Sequence, residues 1–192
     1  LGQWVVYRVA EGALLKAPLP SAPEAGQGWR GIGLRRPRTL EQLDDLVEET
    51  AAKVEAAAAF SVHEDFAYVV AAASGRPTVR LVFGSGAAEP SPAAEEAAAR
   101  RGPASAKQQA AALAAWSAHA PHEVRAKDVA ALLKEAIAPE KAAEALALLL
   151  GLSLPAEAVP NPLDLQSVAR KHLDEASQEG PKRRKGGFWR AR

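Results

Sequence analysis

Apolar and polar positions change rhythm along the chain, and the changes mark out elements. Trp4 to Val9 is a run of β-branched and aromatic residues, the pattern of a strand. Glu11-Gly12 is a turn signal, and Ala13 to Leu19 is expected to return as a second strand. Residues 20–38 hold Pro20, Pro23, Gly26, Gly28, Gly31, Gly33 and Pro37. They read mainly as loop, with a short extended piece near Ile32 and Leu34. Thr39 with Gln42 forms the signature of a capping box and opens a helix. Leu40, Leu43, Leu46, Val47, Val54 and Ala58 share one face of it at helical spacing, while Glu41, Asp44, Asp45, Glu48 and Glu49 take the other. That acidic bias toward the helix start suits the macrodipole.

Phe60 to Val62 predicts a short strand, and Phe66 to Ala73 and Thr78 to Phe83 predict stronger ones joined by Ser74-Gly75-Arg76-Pro77. Beyond the small, Pro-containing stretch Gly84 to Ser91 the pattern turns helical. Ser91-Pro92 opens a helix to about Arg101, and Gly102-Pro103 stops it. Ser105 with Gln108 is a second capping box, leading to a helix through Trp116 that ends by Pro121. Lys127 to Ile137 and Pro139 to Leu150 follow as a pair, with Gly151 as a stop. Pro155 to Pro162 reads as a linker to a last helix, Leu163 to Ser177.

The expected fold class is therefore α+β. A small, mostly antiparallel sheet with one long helix occupies residues 1–86, an all-helical region occupies 87–178, and a disordered basic tail occupies 179–192. The aromatics support the division, since seven of ten precede residue 84 and only Trp116 lies between there and the tail.

Composition then narrows the chemistry. The chain has 192 residues and no Cys, which removes disulfides, thiolate nucleophiles and Cys-based metal sites. Its 45 alanines, with 14 Pro and 14 Gly, point to a GC-rich bacterial coding bias. The apolar run Ala142 to Leu152 is too short to span a bilayer and is broken by Glu144. No signal peptide is visible, and a cytoplasmic location is expected.

The charge is unevenly spread. The formal net charge is +1, but Gly180 to Arg192 carries six cations and no acid, leaving −5 on the residues before it. In that tail Lys182, Arg183, Arg184 and Lys185 precede Phe188, Trp189 and Arg190. Cations interleaved with aromatics suit weak contact with nucleic acid or another anionic surface, and a solvated terminus is the competing reading.

Catalytic patterns do not survive their context. Gly26-Gln27-Gly28-Trp29-Arg30-Gly31 has the letters of a dinucleotide loop, but no helix opens after it. Ser85 between Gly84 and Gly86 lacks the outer glycines of a nucleophile elbow. His119, His122 and Glu123 offer too few local ligands for zinc, and His63-Glu64-Asp65 reads better as a turn than as an acid–base pair. Residues 125–151 fail as a DNA-reading helix-turn-helix, because the second helix is nearly all Ala and Leu. No cofactor and no metal is expected, and no enzymatic activity.

Trp29 stands in the Gly-rich loop with Arg30, Arg35 and Arg36, a composition common at interfaces. Two placements are open: an exposed contact surface, or a ring folded back on the sheet. The acidic helix at 41–55 is a second candidate surface. The order of a strand, a Gly-Trp loop, an acidic helix and a hairpin over residues 4–83 resembles small actinobacterial proteins described as tRNA-adenosine-deaminase-associated. That resemblance assigns no residue a role and leaves the last hundred residues uncovered. The sequence points to a non-enzymatic protein-binding module of the adaptor, inhibitor or immunity type, whose partner is another protein. Polyanion binding through the tail is the alternative.

Overall fold

The computed structural model describes residues 2–8, 24–26, 28–34, 36–84, 89–135 and 137–154. All belong to one compact unit, Leu1–Asn161. The expected strand at Ala13 to Leu19, the helix at Leu163 to Ser177 and the basic tail lie outside the described residues.

The protein is α+β, and its described residues form a six-stranded antiparallel sheet and five α-helices. In chain order these are β1 (Gly2–Arg8), β2 (Glu24–Gly26), β3 (Trp29–Gly33), α1 (Leu40–Lys53), β4 (Ala56–Val62), β5 (Phe66–Ala73), β6 (Val79–Gly84), α2 (Pro92–Arg101), α3 (Ala106–Trp116), α4 (Ala126–Leu132) and α5 (Pro139–Leu149). A short 3-10 turn, Ser117–His119, follows α3. The strand order is β2-β3-β1-β4-β5-β6, so β2 and β6 are the edges.

The helix starts behave as their cap residues dictate. Thr39 and Ser105 each close a full capping box with Gln42 and Gln108. Ser91 caps α2 with Pro92 in its first turn, and Pro139 opens α5.

One expectation is corrected at the end of α1. Val54 and Ala58 do not continue its apolar face: the helix stops at Lys53, and Ala56 to Ala59 form the first half of β4. Alanine prefers a helix by itself, but β4 is central and every residue of it is buried. Small side chains there let helices approach both faces of the sheet, and tertiary packing overrides the local preference. Glycine-rich residues expected mainly as loop likewise become β2 and β3, because β3 finds β1 as an antiparallel partner.

Alternation along the strands divides the interior in two. Val5, Tyr7, Ala57, Ala59, Phe66, Tyr68 and Val70 face α1 and α2, meeting Leu40, Leu43, Val47 and Ala97. Val6, Trp29, Phe60, Val69, Leu81 and Phe83 face the other way and meet Leu113, Trp116, Val129, Leu146 and Leu150. The helices after residue 86 thus share their core with the sheet. Burial of each large side chain here contributes roughly 1.5–3 kcal/mol.

The consequence for the surface lies at β6. Helix α2 packs on one face of the sheet and α3 on the other, so Gly102 to Ser105 carry the chain around the β6 edge. Gly102 turns there with φ +72° and donates its N–H back to Ala98 and Ala99. A covering loop of this kind blunts a strand edge that would otherwise template pairing.

Candidate functional site

A cleft of about 480 Å3 opens between the β6 edge and the α2–α3 connection. That size lies within the range of small-molecule pockets. Thr78, Val79 and Arg80 form its strand side, Arg101, Pro103 and Ala104 its turn, and Gln108, Gln109 and Ala112 its helical wall. Gln108 and Ala112 are exposed at its mouth, whereas Gln109 is only 5% exposed.

The charges around this cleft are unequally matched. Asp44, buried on α1, accepts hydrogen bonds from the Tyr68 hydroxyl at 2.7 Å, Arg80 Nε at 2.9 Å and Arg100 Nη1 at 3.3 Å. Glu48 adds an ion pair to Arg80 at 3.1 Å and accepts from the Thr78 hydroxyl at 2.7 Å. Glu96 and Glu41 complete the surroundings of Arg100. Burial alone would lower the Arg80 pKa, but its bonds and charge contact with Asp44 outweigh that and raise it. Tyr68 is pushed well above the ordinary phenol range, first by burial and then by the adjoining Asp44 carboxylate.

Arg101, the next residue along α2, has no acidic side chain within ion-pair distance among the described residues. Its Nε is buried without a hydrogen-bond partner, and so is the Oε1 of Gln109. Four buried side-chain polar atoms lack partners among the described residues, and two of the four belong to residues of this cleft. Buried polar atoms are seldom left unpaired, so the pairing of an orphan donor and an orphan acceptor in one cleft marks it out. Gln109 is fixed in this sense because its Nε2 donates to the Ala104 carbonyl at 2.7 Å.

Of the residues singled out by sequence, the described ones fall elsewhere. Trp29 is wholly buried, so of the two open placements it takes the inward one and presents no contact surface. Its indole N–H donates to the His119 carbonyl at 3.1 Å. Arg30 and Arg36 are exposed, and Arg35 lies outside the described residues, as do Lys182, Arg183, Arg184, Lys185, Phe188, Trp189 and Arg190. On the acidic helix, Asp45 and Glu49 are exposed, while Glu41 and Glu48 are drawn into the ion pairs described above.

Two histidine clusters form. Glu55 sits 3.3 Å from His119 Nδ1 and 3.3 Å from Arg8 Nε, and Arg8 also donates to the His119 carbonyl at 3.2 Å. This set braces the end of β1 against the turn after α3. His122 packs elsewhere, against Gly151. No cluster of three or more His, Asp or Glu suited to a metal occurs among the described residues.

In the second cluster Gln3 donates to Ser61 Oγ at 3.0 Å, and Ser61 Oγ lies 2.9 Å from His63 Nε2. His63 stacks on Phe66 at 4.2 Å, and burial lowers its pKa. Ser61 is itself wholly buried, which suits a structural bond rather than attack on a substrate. Among the described residues no helix is long and apolar enough to cross a membrane.

Comparison with known proteins adds no template: no family model, no curated protein and no solved structure matches this chain.

Proposed function

We propose that this protein is a non-enzymatic protein-binding module that receives its partner in the cleft beside β6. The observation that supports this most is the unneutralised guanidinium of Arg101 set beside the unpaired Oε1 of Gln109. Neighbouring Arg80 and Arg100 are each surrounded by carboxylates, so the bare cation on Arg101 contrasts with its setting. Arginine in a partly desolvated pocket is a frequent anchor of interfaces. The acid–base clusters at His119 and His63 instead tie secondary-structure elements together.

The test is site-specific photo-crosslinking in the source cell, with the reactive residue placed at Gln108 in the mouth of the cleft and, as control, at Lys141 on α5. A discrete protein adduct from Gln108 that is absent from Lys141 and is lost with Arg101→Ala supports the reading. Equal adducts from both positions, or an adduct indifferent to Arg101→Ala, overturns it. The polyanion alternative rests on the sequence of residues 182–190. Its test is salt-dependent oligonucleotide binding by the full chain against a chain ending at Gly180.

A further inference from the structure

We propose that the β6 cleft captures the carboxyl-terminal residue of an extended peptide, an inference that rests on the protein-binding reading and specifies its ligand. Arg101 supplies one unmatched positive charge, and a guanidinium pairs best with a single planar carboxylate. Gln109 supplies one unmatched acceptor, which calls for a neutral N–H donor. A carboxyl-terminal residue carries both groups on one Cα: its carboxylate meets Arg101, and its own amide N–H meets Gln109 Oε1.

The remaining residues of the cleft narrow the choice. Arg80 is engaged by Asp44 and Glu48, so it adds no second free cation. One bare charge therefore favours a monoanion over a phosphate. The first turn of α3 offers little, because Ser105 Oγ already accepts the Gln108 N–H and Gln108 Oε1 accepts the Ser105 N–H. The anion is thus held by the Arg101 side chain rather than by the helix amides. Gln109 keeps its orientation through the bond from Nε2 to Ala104, so it presents an acceptor and disfavours a second carboxylate. Val79, Pro103 and Ala112 give apolar wall for an aliphatic terminal side chain. Capture of a terminal carboxylate is an established style of peptide recognition. Both orphan atoms are shielded in the unliganded cleft, so binding includes a rotamer change of Arg101 that brings Nε to the ligand and opens the approach to Gln109 Oε1.

The test is an amide-resolved magnetic resonance titration of the isotope-labelled full chain. The probes are N-acetyl-Ala-Ala-Val with a free carboxylate, the same tripeptide as its carboxamide, and acetate. The free acid is expected to shift the Arg101 Nε–H and the Gln109 side-chain amide, and the carboxamide to bind at least about tenfold more weakly, the loss expected of a charge-assisted bond. Arg101→Gln abolishes the response while resonances remote from the cleft stay in place, and Arg101→Lys retains part of it. Equal binding of acid and carboxamide overturns the carboxyl-terminal assignment while leaving peptide binding at the cleft intact. Acetate as effective as the tripeptide overturns it in favour of a simple anion site. No shift from either tripeptide at millimolar concentration overturns it outright, and the crosslinking result then decides separately whether the cleft receives a partner.

Discussion

The rings of Trp29 and Trp116 meet edge to face, with centroids 5.6 Å apart and planes inclined by 65°. Each indole also donates its N–H to a carbonyl on another element: Trp29 to His119 at 3.1 Å and Trp116 to Ala72 at 3.0 Å. The pair therefore fastens β3 to α3 and its following turn, and α3 to β5. Trp116→Ala is expected to destabilise the protein by roughly 3–5 kcal/mol, the usual range for emptying a buried tryptophan site. Trp116→Phe keeps most of the volume but leaves the Ala72 carbonyl short of a donor, at about 1–3 kcal/mol. Urea unfolding followed by circular dichroism checks both, and equal losses for Ala and Phe would show that packing contributes little.

Asp44 is the centre of the ion-pair network on the α1 face, and its removal leaves Arg80, whose side chain is 26% exposed, with Glu48 alone and the buried Tyr68 hydroxyl without its acceptor. Asp44→Ala is expected to cost about 1.5–3 kcal/mol, the range for losing charge-assisted hydrogen bonds whose donors stay largely buried. Tyr68→Phe removes only one bond to that carboxylate and is expected to cost about 1.5–3 kcal/mol. The two changes share a partner, so their double mutant should fall short of the sum in a denaturation cycle. Strict additivity would place Tyr68 and Asp44 in separate roles.

The same network sets a limit at high pH. Tyr68 has its folded pKa raised, so the folded state holds its proton more firmly than the unfolded chain does. The stabilisation is complete below the unfolded tyrosine value and is lost as pH rises above it. Unfolding midpoints should therefore fall from about pH 9 to 11 in the wild type, and less steeply in Tyr68→Phe. Parallel slopes in the two proteins would remove Tyr68 from the alkaline transition.

His63 acts at the other end of the scale. Burial beside Phe66 lowers its folded pKa, so the unfolded chain takes up the proton first as pH falls. Stability is then expected to decline from about pH 7 downward, through the unfolded histidine range, and to level off below the folded pKa. Asp65 adds to the acid loss at lower pH, since the backbone N–H of Ser91 holds its carboxyl below the usual range. Its contribution is present above the unfolded Asp value and vanishes as pH falls through the folded one. A His63→Gln variant should lack the first decline and keep the second. Persistence of the first decline in that variant would assign it to another histidine.

Much of this architecture was legible from local chemistry, and the exceptions have a common cause. The capping boxes at Thr39 and Ser105, the cap at Ser91, the helix-opening Pro139 and the β5–β6 hairpin depend on neighbouring residues alone, so spacing revealed them. Ala56 to Ala59 and Trp29 depend on what packs against them from distant elements. An alanine run says helix until α1 and α5 close on both its faces, and a Gly-Trp-Arg run leaves surface and interior open until Trp116 meets the ring. The candidate cleft was hidden for the same reason. Arg100 and Arg101 are indistinguishable in sequence, yet a rotation of about 100° along α2 gives one three carboxylates and the other none. No local signal marks that difference, although a basic pair at a helix end facing a glutamine pair at the next helix start is the pattern to look for.

Two glycines with nearly the same backbone should respond differently to one methyl group. Gly75 in the β5–β6 turn has φ +72° and nothing within 4 Å of where a Cβ would stand. Gly75→Ala therefore bears only the left-handed backbone cost, about 1–2 kcal/mol. Gly151, after α5, has φ +70°, and an added Cβ would lie 2.9 Å from the His122 ring and 3.0 Å from Pro121. Gly151→Ala bears the same backbone cost and must also displace the 121–122 segment, whose His122 N–H donates to the Leu150 carbonyl. It is expected to lose at least about 1 kcal/mol more than Gly75→Ala, in the range typical of overpacking. His122→Ala should restore part of that difference in Gly151→Ala and do nothing in Gly75→Ala. Thermal or urea unfolding of the four proteins measures this directly, and equal losses at both glycines, unaffected by His122→Ala, would show that the contact with His122 yields freely.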